Sequence, residues 1–167
     1  MELCKIITLK KLILIRHAKS SWKYNVSDLE RPLSKRGMND ANLMSKLLND
    51  LCINIDCVFS SISTRTKETA KIFLNNLNHK NKSIIESSDL YDFSGQKVDL
   101  FIKKIDNKLD TIMVFSHNNS CSNLISKYAK INKHVPTCGI LIFDFDVSLW
   151  SDIELGSCNY YFPKDFR

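Results

Sequence analysis

Two histidines in this chain follow apolar runs almost directly. His17 comes after Leu12-Ile13-Leu14-Ile15-Arg16, and His117 comes after Thr111-Ile112-Met113-Val114-Phe115-Ser116. Arg16 precedes the first histidine, and Arg65 stands in a polar turn after the apolar Val58-Phe59. A neutral imidazole can attack, take a proton or bind a metal. A guanidinium offers a planar fork of donors that matches two oxygens at once. Singly, each residue has an ordinary explanation, a strand that stops in a polar loop. Gathered around one point, two guanidiniums and two imidazoles repel one another unless an anion lies between them. A phosphoryl group, with its charge of about −1.5 to −2 and strong acceptor oxygens, fits that requirement.

For the four side chains to meet, three strands must end on one edge of one sheet. Residues 11–16, 57–60 and 111–116 read as strands buried on both faces. Helical periodicity separates them. Ser34 is a good N-cap for a helix over 35–52, with Met38, Ala41, Met44, Leu47, Leu48 and Leu51 on one face. A second helix runs from the 60–66 turn to about 76, a third over 96–108, and a fourth over 120–130. A short strand over 83–86 and an antiparallel pair over 140–145 and 153–160 complete the pattern. The tail over 162–167 is expected at the surface. This alternation predicts a three-layer α/β/α fold with a mainly parallel central sheet and helices on both faces. Right-handed crossovers then put the three carboxyl ends on one edge, where open α/β sheets bind ligands.

The 167 residues suit a single domain over 11–167, with residues 1–10 as an N-terminal extension, either an edge strand or a loose arm. A formal charge of +6 favours an anionic partner. The lysines are scattered rather than blocked, and no aromatics interleave them, which argues against nucleic acid. No stretch approaches the apolar length that spans a bilayer, and the N-terminus lacks a secretory pattern. The six cysteines form no C-x-x-C pair and read as small reduced thiols, most of them buried, in a cytoplasmic protein.

The segment LILIRHAKSSW resembles the Arg-His signature of the histidine phosphatase superfamily, the phosphoglycerate-mutase-like fold, and is most similar to its short SixA-type phosphohistidine phosphatases. The segments DLERPLSKRG at 28–37, VFSSISTRTKETA at 58–70, LYDFSG at 90–95, VFSHNNSCSNL at 114–124 and VPTCGILIFDF at 135–145 follow in the family's order. The resemblance spans nearly all of the chain beyond residue 10. Ala18 stands where much of the superfamily has glycine, and Ser116-His117-Asn118-Asn119 where relatives often have Gly-His-Asn-Pro.

The resemblance implies a metal-independent and cofactor-free phosphatase. His17 would attack phosphorus to form a phosphohistidine, which water then hydrolyses. Arg16, Arg65 and His117 would bind the phosphoryl oxygens and stabilise transition-state charge. Neighbouring arginines should keep the His17 imidazole neutral. Asp92 is the first candidate for the general acid, with Asp28 and Glu30 as alternatives. The expected partner is a phosphorylated substrate, with a monomer favoured. A phosphohistidine protein is the first reading of that substrate and a small phosphomonoester the second. A catalytically weak phosphate-binding regulatory protein is the alternative of another class.

Several further residues have two readings each. Trp22 lines the entrance or seals the core, with the entrance preferred. Arg31 touches the phosphate rim or pairs with Asp28 or Glu30. Thr137 supports the site from its loop, and Ser20, Ser21, Ser60 and Ser61 supply supporting hydrogen bonds. His79 and His134 are expected to be exposed.

Overall fold

The computed structural model describes residues 9–77 and 82–167. Most of the expected N-terminal extension and His79 therefore lie outside the described residues. Six strands form one sheet in the order β3-β2-β4-β1-β5-β6. In chain order they are β1 (Lys10–Arg16), β2 (Cys57–Ser61), β3 (Ile84–Ser87), β4 (Thr111–Ser116), β5 (Ile140–Phe145) and β6 (Ser157–Tyr161). Four helices, α1 (Lys35–Asp50), α2 (Thr64–Asn76), α3 (Gln96–Lys103) and α4 (Ser120–Ala129), alternate with the first strands. Strands β1 to β4 pair in parallel, and β5 runs antiparallel to both of its neighbours.

Alternation within β1 explains the layers. Leu12, Ile13, Leu14 and Ile15 are all fully buried. Successive side chains of a strand point to opposite faces. Leu12 and Leu14 accordingly pack with Val98 and Ile102 of α3 and with Leu124 and Ile125 of α4. Ile13 and Ile15 pack with Met44 and Leu48 of α1 and with Ala70 and Phe73 of α2. The unbroken apolar run is thus the signature of a central strand covered on both sides.

The register aligns the strand ends. Arg16 pairs with Ser116, so His17 and His117 leave neighbouring strands at the same level. Ser60 of β2 pairs with Phe115, which brings Ser61 to that level as well. Ser63 then caps α2 by accepting from the Thr66 backbone N–H, and Arg65 sits in that helix's first turn.

The loop after β1 is pinned against α1. The Ser34 backbone N–H donates to the Lys19 carbonyl at 2.8 Å, and Ser21 donates to the Pro32 carbonyl at 2.8 Å. A Cβ on Gly37 would lie 2.1 Å from the Lys19 carbonyl oxygen, so only glycine permits this approach.

Four expectations need adjustment. The last strand, expected over 153–160, runs over Ser157–Tyr161, and Ile153 is buried in the core ahead of it. Lys10, placed by sequence in the extension, begins β1 and is buried, donating to Asn107 O at 2.7 Å and Asp110 Oδ1 at 2.6 Å. Helix α3 stops at Lys103, short of the expected 108, because residues 104–109 turn to present the carbonyls that hold Lys10 and Trp150. The tail is not wholly at the surface. Phe162 and Pro163 are buried, and the Arg167 guanidinium grips buried Asp40 of α1 at 3.0 and 2.8 Å.

Of the cysteines described, Cys121 and Cys138 are buried, Cys57 and Cys158 half-buried, and Cys52 exposed. Among the described residues no helix is long and apolar enough to cross a membrane.

Candidate active site

The carboxyl ends of β1, β2 and β4 open into a cleft of about 310 Å³. Its walls include Arg16, His17, Asp28, Arg31, Arg65 and Phe93, with Lys19, Ser20, Trp22, Asn118 and Thr137 around them. His117 lies just behind, its ring centroid 5.3 Å from that of His17. The four residues singled out by sequence therefore converge.

The hydrogen bonds of His17 define its reactive atom. Nδ1 lies 2.7 Å from the Ala18 carbonyl oxygen, an acceptor, so Nδ1 carries the proton. Nε2 is left with its lone pair, and Arg65 Nε donates to it at 3.3 Å. Burial drives the His17 pKa well below its ordinary value, opposed by the Ala18 bond and reinforced by the charges of His117, Arg65 and Arg16. The imidazole is neutral at physiological pH.

His117 is fixed in the complementary way. Arg65 Nη2 donates to Nδ1 at 3.3 Å, so Nε2 carries the proton and donates to Ser61 Oγ at 2.8 Å. Burial first, and then the Arg65 charge, lowers its pKa to about 3. Tyr91 and Phe93 pack on its ring at centroid distances of 5.2 and 5.0 Å.

Arg65, only 1% exposed, is aimed by Asp28. Its guanidinium donates to the Asp28 carbonyl oxygen and to Asp28 Oδ2, the latter at 2.9 Å. Arg16 is held by Nη1 donating to the Val135 carbonyl at 2.8 Å, while exposed His134 stands 3.5 Å away. Arg16 Nε, by contrast, is the one buried side-chain nitrogen or oxygen without a hydrogen-bond partner among the described residues. A buried donor of this kind is costly unless something else accepts from it. The Cys138 backbone N–H donates to the Arg16 and His17 carbonyls, which ties the Thr137 loop to this edge.

Asp92 is placed elsewhere. Its carboxylate accepts from the backbone N–H groups of Ser94, Gly95, Lys97 and Val98, closing the turn that starts α3. Burial raises its pKa, but these bonds outweigh that and lower it. With both oxygens engaged and no place in the cleft wall, this carboxylate is not positioned as the acid proposed from sequence. Glu30 is exposed and bonds Ser27.

The carboxylate that reaches the cleft is Asp28. Tyr91 Oη donates to Oδ2 at 2.6 Å, and Arg31 donates to Oδ1 at 2.6 and 3.2 Å. Burial pushes the Asp28 carboxyl up, but the bonds from Tyr91, Arg31 and Arg65 hold it far below the usual range. A carboxylate held in this way bonds, and so orients, the guanidiniums of both Arg31 and Arg65.

Arg31 lines the cleft and pairs with Asp28. It also donates to Ser20 Oγ at 2.7 Å and lies 3.7 Å over the Trp22 ring. Trp22 is at the entrance. Sequence reasoning did not single out Tyr91, Phe93 or Asn118. The first two lie in LYDFSG and the third follows His117, so adjacency to the motif residues was the available signal. Among the described residues no group of three or more His, Cys, Asp or Glu is placed to hold a metal ion.

The sequence pattern of the histidine phosphatase superfamily (branch 1) matches residues 12–99. An uncharacterised chloroplastic protein of Arabidopsis thaliana is 28% identical over 86% of this chain and 70% of its own length. A 2,3-bisphosphoglycerate-dependent phosphoglycerate mutase of Chlamydia abortus is 35% identical, over 47% of this chain and 35% of the mutase. In three dimensions the chain is similar to the protein histidine phosphatase SixA complexed with tungstate. That match has a TM-score of 0.80 and 20% identity, covering 94% of this chain and 99% of that one.

Proposed function

The chain belongs to the histidine phosphatase superfamily, and from that premise we propose that it hydrolyses a phosphoryl group through a phosphohistidine on His17. The observation that carries this reading is the Nε2 lone pair of His17, presented at the cleft between Arg65 and His117 with Nδ1–H committed to Ala18. Nε2 attacks phosphorus, and the bond to the leaving group breaks with its electron pair. Water then attacks the phosphorus, the N–P bond breaks back to His17, and inorganic phosphate leaves. Arg16 and Arg65 bind the phosphoryl oxygens throughout, and the otherwise unpartnered Arg16 Nε–H gains its acceptor there. His117 reaches the same oxygens by donating from Nδ1, so with a phosphoryl group bound its proton lies on Nδ1 and Nε2 accepts from the Ser61 hydroxyl. Asp28 acts through Arg65, as a positioning residue.

The finer reading is a SixA-like protein phosphohistidine phosphatase. It is supported by the likeness to that structure over nearly the full length of both chains. It is also supported by connections that, among the described residues, hold no inserted domain to cap the cleft. A small phosphomonoester is the alternative. The test is turnover of a generic aryl phosphate and of a phosphohistidine protein by wild type and by H17A, with 32P trapping to locate the label. Label on His17, and turnover lost in the variant, is the expected result. Wild type no faster than the variant on both substrates would leave only a phosphate-binding protein.

A further inference from the structure

The cleft is charged at its floor but carries two exposed aromatic rings at its mouth. Trp22 is 75% exposed, more than any other large apolar side chain described, and Phe93 is 46% exposed. Exposure by itself is ordinary for a surface residue. These two rings are also held in place. One face of Trp22 is stacked by the Arg31 guanidinium at 3.7 Å, and Arg31 is itself fixed by Asp28 and Ser20. Phe93 packs on Tyr91 at 5.2 Å and on His117 at 5.0 Å. They come from different walls, because Trp22 follows β1 and Phe93 follows β3, three strands away in the sheet. Both line the cleft that contains His17 and Arg65.

A phosphoryl group clamped by the arginines points its leaving group outwards, towards this mouth. We propose that Trp22 and Phe93 are specificity-determining residues that receive a flat, π-conjugated ring bearing the phosphoryl group directly. The inference rests on the phosphatase reading for its purpose but not for its geometry. A nitrogen-linked ring, as in phosphohistidine, and an oxygen-linked ring, as in an aryl phosphate, share this chemistry. An aliphatic phosphate leaves the rings wet. Arg31 on the back of Trp22 fixes the ring in advance, which lowers the cost of ordering it on binding.

The experiment is calorimetric binding of phosphonates, which needs no turnover. Benzylphosphonate, with CH2 in place of the ester oxygen, stands for the oxygen-linked ring, a triazolylphosphonate for the ring bonded directly to phosphorus, and cyclohexylmethylphosphonate for a saturated group of similar size. Wild type is expected to bind at least one flat ligand about three- to tenfold more tightly than the cyclohexyl one. The preferred flat ligand identifies the linkage. W22L and F93L should each lose that preference, read as the ratio of flat to cyclohexyl affinity within the same variant, and W22F should restore it. Trp22 is too exposed for its replacement to unfold the chain, and circular dichroism checks this for both variants. Equal binding of all three ligands, or variants that weaken them equally, overturns the proposal. Intact ring preference without any turnover would instead overturn the phosphatase reading and leave the ring site standing.

Discussion

Replacing Asp28 by asparagine separates two ways in which this cleft could work. Asp28 Oδ2 accepts from Arg65 Nη2 at 2.9 Å and Tyr91 Oη at 2.6 Å, while Oδ1 accepts from Arg31 at 2.6 Å. An asparagine of the same shape offers one acceptor oxygen, so its amide nitrogen must oppose a guanidinium on one side. A hydrogen bond to a charged group is worth about 1.5–3 kcal/mol. The Asp28 side chain is 45% exposed, so solvent screening brings the stability loss down to about 1 kcal/mol. That corresponds to a Tm lower by about 2–4 °C for a chain of this size. A less restrained Arg65 should weaken transition-state binding by about 1–2 kcal/mol, or about 5- to 30-fold in kcat/KM. The assay compares 4-nitrophenyl phosphate with phenyl phosphate, whose leaving group departs less readily. An orienting carboxylate predicts the same loss on both esters and an unchanged pH profile. A general acid predicts about 10²- to 10⁴-fold, concentrated on the phenyl ester, with the alkaline limb of the profile gone. That second result would refute the assignment of Asp28 to orientation and the reading of its proton as absent.

Removing the Ser61 hydroxyl (S61A) leaves the buried Nε2–H of His117 without its acceptor, at a cost of about 1–3 kcal/mol in stability. It should also lower kcat about tenfold as the His117 tautomer is released, seen as a change in the imidazole 15N shifts; unchanged shifts would remove Ser61 from the site. The pH dependence has a definite sign. His17 and His117 have folded-state pKa values below the ordinary 6.5, so the unfolded chain binds more protons once pH falls below that value. With His117 at about 3, its share alone is a loss of about 2 kcal/mol between pH 7.5 and pH 5, measurable by urea denaturation. Either imidazole titrating near 6.5 in NMR would contradict the buried, neutral pair.

Much of the site was legible because it follows strand ends. A strand's carboxyl end is marked by where its apolar run stops, and parallel register converts three such stops into one edge. That is how Arg16, His17, Arg65 and His117 could be grouped from sequence. The helices were legible from periodicity and from Ser34. The roles of the loop carboxylates were not, because a carboxylate's role depends on which donors surround it. Asp92 and Asp28 both lie in loops near the motifs. Only one has four backbone N–H groups closing around it, and only the other has two guanidiniums and a phenol.

The sequence by itself determined the strand–helix alternation, the four residues that meet at the strand ends and the family, since these reside in local pattern and ordered motifs. The tertiary structure decided what depends on long-range packing. It placed Lys10 in the sheet and Arg167 on Asp40, through partners roughly a hundred residues away. It put Asp28 at the cleft and Asp92 in the turn before α3, set the opposite tautomers of His17 and His117, and brought Trp22 and Phe93 to one mouth. The physical reason is the same in each case. Charge state, tautomer and exposure are properties of a side chain's surroundings, and surroundings exist only once distant segments have packed.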